Sequence, residues 1–304
     1  MKSRRTLIGA ALALAASALA LTLYAAHAAH AARSATKHIL VVTVTKGFRH
    51  DSIPVAEQTI QMLGNNTGAW QTDFVRNDDE MREKMTPDAL KKYDAVVFAN
   101  TTGELPLPDY QGFLDYIQAG HGFVAMHSGS DTFHKWPPTP DAPVSAYVQM
   151  LGAEFETHHH QTAVDAHILD PNHPSTKPLV AAGKRANGAS PGDLQQHTFA
   201  TGKTWQVYDE IYLFKNVDRP HLHVLLALDR HPNDGSPEAG QPGEYLVSWC
   251  KSYGNGRVFY TSLGHRQEMW RDPLYQQHIL GGIKFALGLA KGSTAPNPPL
   301  HAAR

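Results

Sequence analysis

Strand-like and helix-like segments alternate along the first half of the chain, and this alternation constrains the fold more than any other feature. A β-branched run at 38–45 (HILVVTVT) ends near Gly47, and residues 52–63 then place apolar side chains at helical spacing. The unit recurs with strands at 70–76, 94–99 and 122–127 and helices at 87–92 and 109–119. The pattern predicts an α/β domain with a mostly parallel sheet and helices on both faces.

The second half of the chain is less regular. Residues 131–218 are rich in Pro, Gly and His and are expected to form long insertions, with strands only at 163–169 and 205–208. Further strands are predicted at 223–228, 244–249 and 257–262, the last two joined by a KSYGNG hairpin turn, and a closing helix at 271–290. No linker or repeat divides residues 38–290, so we expect one domain, followed by a disordered proline-rich tail at 291–304.

The N-terminus has the pattern of an export signal. Basic residues, among them Arg4 and Arg5, precede an apolar run, and the small-residue stretch AAHAAHAA offers Ala-x-Ala cleavage sites after Ala28 or Ala31. The opening SRRTLIG resembles a twin-arginine (Tat) signal, although ordinary Sec signals also contain paired arginines. We therefore predict a signal at 1–31, a linker at 32–37, a periplasmic or secreted location, and no stable membrane insertion after cleavage.

Charge and composition narrow the function. The 27 basic and 28 acidic side chains give a net charge of -1, so nucleic acid is not an expected partner. The single cysteine, Cys250, excludes an intramolecular disulfide and is expected to be buried. The unusual feature is the content of 19 histidines, because histidine titrates near neutral pH and ligates metals.

Histidines stand at the ends of three predicted strands, in the motifs KGFRHDS, MHSGSD and TSLGHRQE. Because the carboxyl ends of parallel strands share one edge of a sheet, we expect His50, His127 and His265 to lie close together. The motifs GAEFETHHH and YDEIY add His158 and Glu210 as further candidates.

Two chemistries remain open for these residues. His127, His265 and His50 would serve as catalytic acids and bases, or they would hold a divalent metal (Zn, Mn or Ni) together with His158 and Glu210. The spacing matches no standard metal signature, and the absence of GxSxG disfavours a serine hydrolase. The residues predicted to contact substrate are Arg49, Ser128, Glu210 and Trp270, and Trp136 is a further candidate for stacking on a sugar.

Taken together, KGFRHDSI, GHGFVAMHS, LGAEFETHH, YDEIY and YGNGRVFYTSLGHRQEMW resemble the ThuA-like family, which is named for trehalose utilisation. That family is similar in fold to class I glutamine amidotransferases, so the resemblance implies a flavodoxin-like domain. It places His127 at the position of the amidotransferase cysteine and His265 at that of the catalytic histidine, with Gln267 near the glutamate position and Glu268 beside it. Cysteine-dependent glutamine hydrolysis is thereby excluded, because an imidazole at the elbow cannot replace the thiolate.

The resemblance also implies a role in disaccharide use, in particular in routes through 3-keto sugars. We expect an exported hydrolase, lyase or isomerase that acts on a small carbohydrate. The sequence is also compatible with a homo-oligomer. The alternative is a carbohydrate-binding accessory protein without turnover. One departure from many relatives is the segment YLVSW, which lacks a proline shortly before the tryptophan.

Overall fold

The computed structural model describes residues 36–134, 143–186 and 192–300, so the predicted export signal and Trp136 lie outside the described residues. A ten-stranded sheet has the order β2-β1-β3-β4-β12-β11-β10-β6-β8-β7, and β5 pairs with β9 in a separate two-stranded sheet. The strands are β1 Lys37–Val42, β2 Trp70–Val75, β3 Ala95–Ala99, β4 Gly122–Met126, β5 Glu154–His158, β6 Thr162–Ile168, β7 Phe199–Ala200, β8 Thr204–Asp209, β9 Tyr212–Lys215, β10 His223–Arg230, β11 Pro242–Tyr253 and β12 Gly256–Thr261. The helices are α1 Ile53–Thr67, α2 Asp78–Lys84, α3 Pro87–Leu90, α4 Tyr110–Gln118, α5 Ala146–Leu151, α6 Lys177–Ala186, α7 Gln267–Arg271 and α8 Pro273–Ala286.

The half of the sheet around β4 is parallel. Strand β4 pairs in parallel with β3 on one side and with β12 on the other, and β1 pairs in parallel with β3. The carboxyl ends of β1, β4 and β12 therefore meet at one edge, as the sequence predicts. The remaining strands from β11 to β7 pair antiparallel and extend the sheet beyond β12.

Both faces of the parallel half are covered by helices. Alternate residues of β1 and β3 face opposite sides, because Ile39 and Val97 pack in one apolar core whereas Leu40 and Val96 pack in the other. Helices α1 and α8 cover the first core, and α4 and α5 cover the second. The α/β class and the two-sided covering are confirmed.

The middle of the chain is more regular than predicted. Besides β6 and β8, it contains α5, β5, α6 and β9, where the sequence predicts loops. In β5 only Glu154 is buried, and the residues after it alternate between partly buried and exposed (Bieie). The strand is completed by pairing with β9, so its stability depends on a contact between distant segments.

The C-terminal region corrects two predictions. The predicted single helix at 271–290 is interrupted at Asp272, which caps α8 by accepting hydrogen bonds from the amides of Leu274 and Tyr275, with Pro273 in the first turn. Residues 291–300, predicted to be a disordered tail, lie instead along β10, where the Asn297 side chain bonds both backbone groups of Val224. These bonds explain why a segment with little to bury is nevertheless ordered.

Among the residues that the structure describes, no helix has both the length and the apolar character needed to span a bilayer. Cys250 is buried and free, as expected, and its Sγ lies 3.2 Å from the Ser293 carbonyl oxygen.

Candidate functional site

Four predicted site residues converge at the carboxyl edge of the parallel strands. His50 lies between β1 and α1, His127 follows β4, His265 follows β12, and Glu210 connects β8 to β9. One ligand-capable atom from each lies within 4.8 Å of the corresponding atom of every other. The sheet topology thus brings together residues separated by more than 200 positions in the sequence.

His127 occupies a sharp turn between β4 and a 3-10 turn at His127–Asp131. Its φ of 48° lies in the left-handed region, which is uncommon for a residue with a Cβ and typical of strained functional elbows. The side chain is completely buried. The elbow expected from the sequence is therefore present, with imidazole at its tip.

The proton of the His127 ring is fixed by a backbone group. Nδ1 lies 2.7 Å from the Ser262 carbonyl oxygen, which can only accept, so Nδ1 carries the hydrogen and the neutral ring has its lone pair on Nε2. Three groups surround that lone pair: His50 Nε2 at 3.1 Å, the Tyr212 hydroxyl at 3.0 Å and Glu210 Oε2 at 3.5 Å. A histidine that donates to a carbonyl with one nitrogen and offers the other is the usual form of a metal ligand.

His50 is a neutral imidazole facing His127. Burial, together with the neighbouring His127 and His265, lowers the pKa of His50 to about 3. Ser128 lies behind it, with Oγ 3.4 Å from Nδ1. Two imidazole nitrogens 3.1 Å apart either share one proton or face a common cation.

Glu210 holds the opposite side of the cluster. Its Oε2 lies 3.2 Å from His265 Nδ1, and its Oε1 lies 3.0 Å from His158 Nδ1. Burial raises the pKa of Glu210, but contacts with His127 and His265 outweigh it and leave the pKa well below its usual range. The carboxylate is therefore ionised and supplies the negative charge of the site.

His265 lies close to Glu210 but is not hydrogen-bonded to it. Burial lowers the pKa of His265, but the Glu210 carboxylate outweighs it and the net pKa is raised. Nevertheless Nδ1 is buried and makes no well-directed hydrogen bond to any described residue. The Glu210 carboxylate therefore raises the pKa of His265 through its charge at 3.2 Å, an effect that does not need the direction of a hydrogen bond. A metal ion in place of the proton would satisfy both groups.

The loop that carries His265 is anchored through the Gly264 peptide. Its N–H donates to Asp209 Oδ2 (2.7 Å), and its carbonyl accepts from Trp270 Nε1 (2.8 Å), Asn100 Nδ2 (3.0 Å) and Ser52 Oγ (3.3 Å). Gly264 has a φ of 123°, and a Cβ there would lie 2.7 Å from the Tyr275 hydroxyl. His265 is thus presented by a glycine that no other residue replaces without strain.

Several predicted substrate contacts have other roles. Trp270 is fully buried behind Gly264, and its Nε1 donates to the Gly264 carbonyl oxygen, so in this structure it anchors the loop of His265. The Arg49 guanidinium donates to the Thr43 carbonyl oxygen (3.0 Å). Ser128 is buried against His50, and His158 contacts Glu210 without joining the four-residue cluster.

Sequence reasoning missed two contributors. The Tyr212 hydroxyl reaches His127 because β9 folds back over the site, although the YDEIY motif drew attention only to its acids. The Ser262 carbonyl is a backbone group, so the residue type at that position gives no sign of its contact with His127. For Tyr212, its position two residues after Glu210 was the available signal.

A cavity of about 330 Å³ lies near the cluster but is not lined by its four residues. Its walls include Tyr212, which also contacts His127, and Tyr245, His231 and the bidentate pair of Arg219 with Glu244 (2.7 and 3.2 Å). The volume lies at the low end of small-molecule pockets. Tyr212 therefore links the cluster to a cavity of suitable size for a small ligand.

Comparison with solved structures shows the same fold. A ThuA-like protein from Parabacteroides merdae ATCC 43184 has a TM-score of 0.60 at 18% identity, over 85% of this chain and 92% of that chain. A ThuA-like protein from Bacteroides uniformis ATCC 8492 has a TM-score of 0.58 at 18% identity, over 84% of this chain and 92% of that chain. A cytoplasmic protein of Salmonella typhimurium LT2 has a TM-score of 0.51 at 13% identity, over 84% of this chain and all of that chain (100%).

No curated protein matches the sequence. The sequence model of the family ThuA, described as trehalose utilisation, matches residues 38–188 and 190–286. That match covers nearly all of the domain that carries the elbow, the cluster and the Gly264 peptide. The chain therefore belongs to the ThuA trehalose-utilisation family.

Proposed function

We propose that this protein is an exported enzyme that processes a sugar or glycoside, such as a disaccharide or a keto-sugar, at a metal-assisted histidine site. The observation that carries the proposal is the convergence of His50, His127, Glu210 and His265 within 4.8 Å. The family's description as trehalose utilisation supports a carbohydrate-related role.

The donor set suits a divalent transition metal such as Zn, Mn or Ni. Tetrahedral zinc with ligands at about 2.0–2.1 Å places neighbouring ligand atoms roughly 3.3 Å apart. The separations of 3.1, 3.2 and 3.5 Å within the cluster are close to that value. When bound, such a cation polarises a carbonyl or hydroxyl oxygen of the substrate.

The protein's own groups orient the ligands and connect the site to water. The Ser262 carbonyl fixes the His127 tautomer, and Ser128 lies behind His50. His158 contacts Glu210 while its side chain remains 42% exposed. It is therefore well placed to pass protons between the buried carboxylate and solvent.

The test combines metal analysis with a substrate panel. Purified protein is analysed for bound elements and incubated with disaccharides and their 3-keto derivatives, with and without chelator and added metals. We expect a bound divalent metal and product formation that is lost with chelator, in His127→Ala and in His265→Ala. The exposed His221→Ala is a matched control that should keep full activity.

The contrary outcomes are distinct. Turnover that survives in both His127→Ala and His265→Ala would exclude the cluster as the active site. Binding of the same sugars without turnover by the wild-type protein would favour the accessory-protein alternative. Full activity after metal removal would leave the histidines as acids and bases and refute metal assistance.

A further inference from the structure

We propose a second divalent-metal site, formed by His159, His231 and Asp234 and separate from the four-residue cluster. His159 directly follows β5, His231 directly follows β10, and Asp234 lies in the loop before β11. Each offers a ligand atom within 4.8 Å of the other two. We refer to these three residues as the loop cluster.

Asp234 supplies a carboxylate oxygen that lacks a partner. Its Oδ1 accepts a hydrogen bond from the Ser236 amide (3.0 Å). Its Oδ2 is buried and accepts no hydrogen bond from the residues that the structure describes, and the residue is only 4% exposed. An unpaired buried carboxylate oxygen is costly, so a cation between Asp234 and the two histidines is the simplest partner.

His231 is already oriented as a ligand. Nδ1 lies 3.1 Å from the Pro232 carbonyl oxygen, which only accepts, so the neutral ring keeps its lone pair on Nε2. The ring is buried and packs edge-on against Tyr245, with ring centroids 5.2 Å apart. Its tautomer and rotation are therefore restricted before any metal binds.

The backbone around the loop cluster is also restrained. The His231 amide donates to the Gln241 carbonyl (2.8 Å), and the Gly240 amide donates to the His231 carbonyl (3.0 Å). The Thr162 hydroxyl at the start of β6 donates to the Asn233 carbonyl (2.9 Å). A loop closed at its base and fixed to β6 holds its ligands at little further cost in conformational entropy.

The neighbouring residues His158 and His159 contact different clusters. His158 contacts Glu210 of the four-residue cluster, and His159 belongs to the loop cluster with His231 and Asp234. Two nitrogens and one carboxylate oxygen suit Zn²⁺ and neighbouring divalent metals, with coordination positions left for water or a ligand. Because His231 also lines the 330 Å³ cavity, a small molecule held there would lie beside these positions.

Zinc stoichiometry tests the site. Chelator-stripped protein is titrated with Zn²⁺ against a chromophoric chelator, and variants are compared after circular dichroism confirms their fold. We expect Asp234→Asn and His231→Ala each to bind one equivalent fewer than the wild type. Asp234→Asn is nearly isosteric and keeps an acceptor for the Ser236 amide, so it protects the experiment against misfolding of the alanine variant.

Two further variants make the result independent of the first cluster. His160→Ala, in the same histidine run but exposed and outside both clusters, should bind as much zinc as the wild type. His127→Ala should still bind the equivalent of zinc that the loop cluster holds and that Asp234→Asn loses. This expectation does not depend on whether the proposed activity is correct. Two results would overturn the proposal. One is that Asp234→Asn and His231→Ala both bind as many equivalents of zinc as the wild type; the other is that the single substitution His127→Ala abolishes all zinc binding.

Discussion

Replacing the buried His278 should make the protein less sensitive to mild acid. His278 is fully buried in α8, and its Nδ1 donates to the Ser175 carbonyl oxygen (3.1 Å). Burial lowers the pKa of His278 to about 4, against a value of 6.5 in the unfolded chain, even though the Ser175 bond acts in the opposite direction. Between these values the unfolded state binds the proton and the folded state does not, so stability falls as the pH falls.

The size of the effect follows from proton linkage. Each unit of pH within the window from about 6.5 to about 4 costs at most about 1.4 kcal/mol per proton. Between pH 7 and pH 5, His278 alone should therefore remove about 2 kcal/mol of unfolding free energy. His50 and His173, whose pKa values burial lowers to about 3, add losses of the same sign in the wild type and in the variant.

The assay is urea unfolding of the wild type and His278→Asn at pH 7 and pH 5, at constant ionic strength and with excess chelator. Asparagine retains a donor for the Ser175 carbonyl but does not titrate. The variant is expected to be less stable at both pH values, yet to lose about 2 kcal/mol less than the wild type between them. His160→Asn, at an exposed position, is the control. Equal losses in wild type and His278→Asn, within about 0.5 kcal/mol, would refute the linkage argument.

Two further predictions concern the site and the N-terminus. Tyr212→Phe removes the hydroxyl that lies 3.0 Å from His127 Nε2, whose lone pair a metal would use. Because that hydroxyl competes with the metal for the lone pair, zinc affinity measured by titration should rise roughly 2-fold to 10-fold, the equivalent of one net hydrogen bond of about 1 kcal/mol; a fall in affinity would show that the hydroxyl supports metal binding instead. Replacing Arg4 and Arg5 by lysine should retain a tagged chain in the cytoplasmic fraction of expressing cells if export follows the twin-arginine route; unchanged periplasmic recovery would indicate the Sec route or another route instead.

The proximity of the three histidines in the four-residue cluster can be predicted from the sequence, because it depends on strands that local sequence identifies. Each of His50, His127 and His265 follows a strand that could be recognised from its own residues, and a parallel sheet brings such strand ends together. Glu210 was found through its motif. Its exact contacts were not, because they depend on how β8 and β9 turn over the sheet.

The loop cluster and the β5–β9 sheet could not be predicted in the same way. His159 and His231 are 72 positions apart, and their proximity depends on the pairing of segments within the irregular middle region. The prediction of a disordered tail is wrong for residues 291–300 for a related reason. Their proline content predicts little burial, but Asn297 bonds to the backbone of β10, a contact that composition does not reveal.

The Gly264 peptide has a consequence for when the site forms. Its partners Ser52, Asn100, Asp209 and Trp270 come from almost the whole length of the domain, and the contact with Ser52 closes a separation of 212 residues. Contacts that span such loops form late in folding, so no fragment of the chain should present His265 correctly. The site would then bind its metal in the compartment in which folding is completed. A twin-arginine route, which exports folded chains, would then let the cytoplasm supply the ion of the proposed metal site.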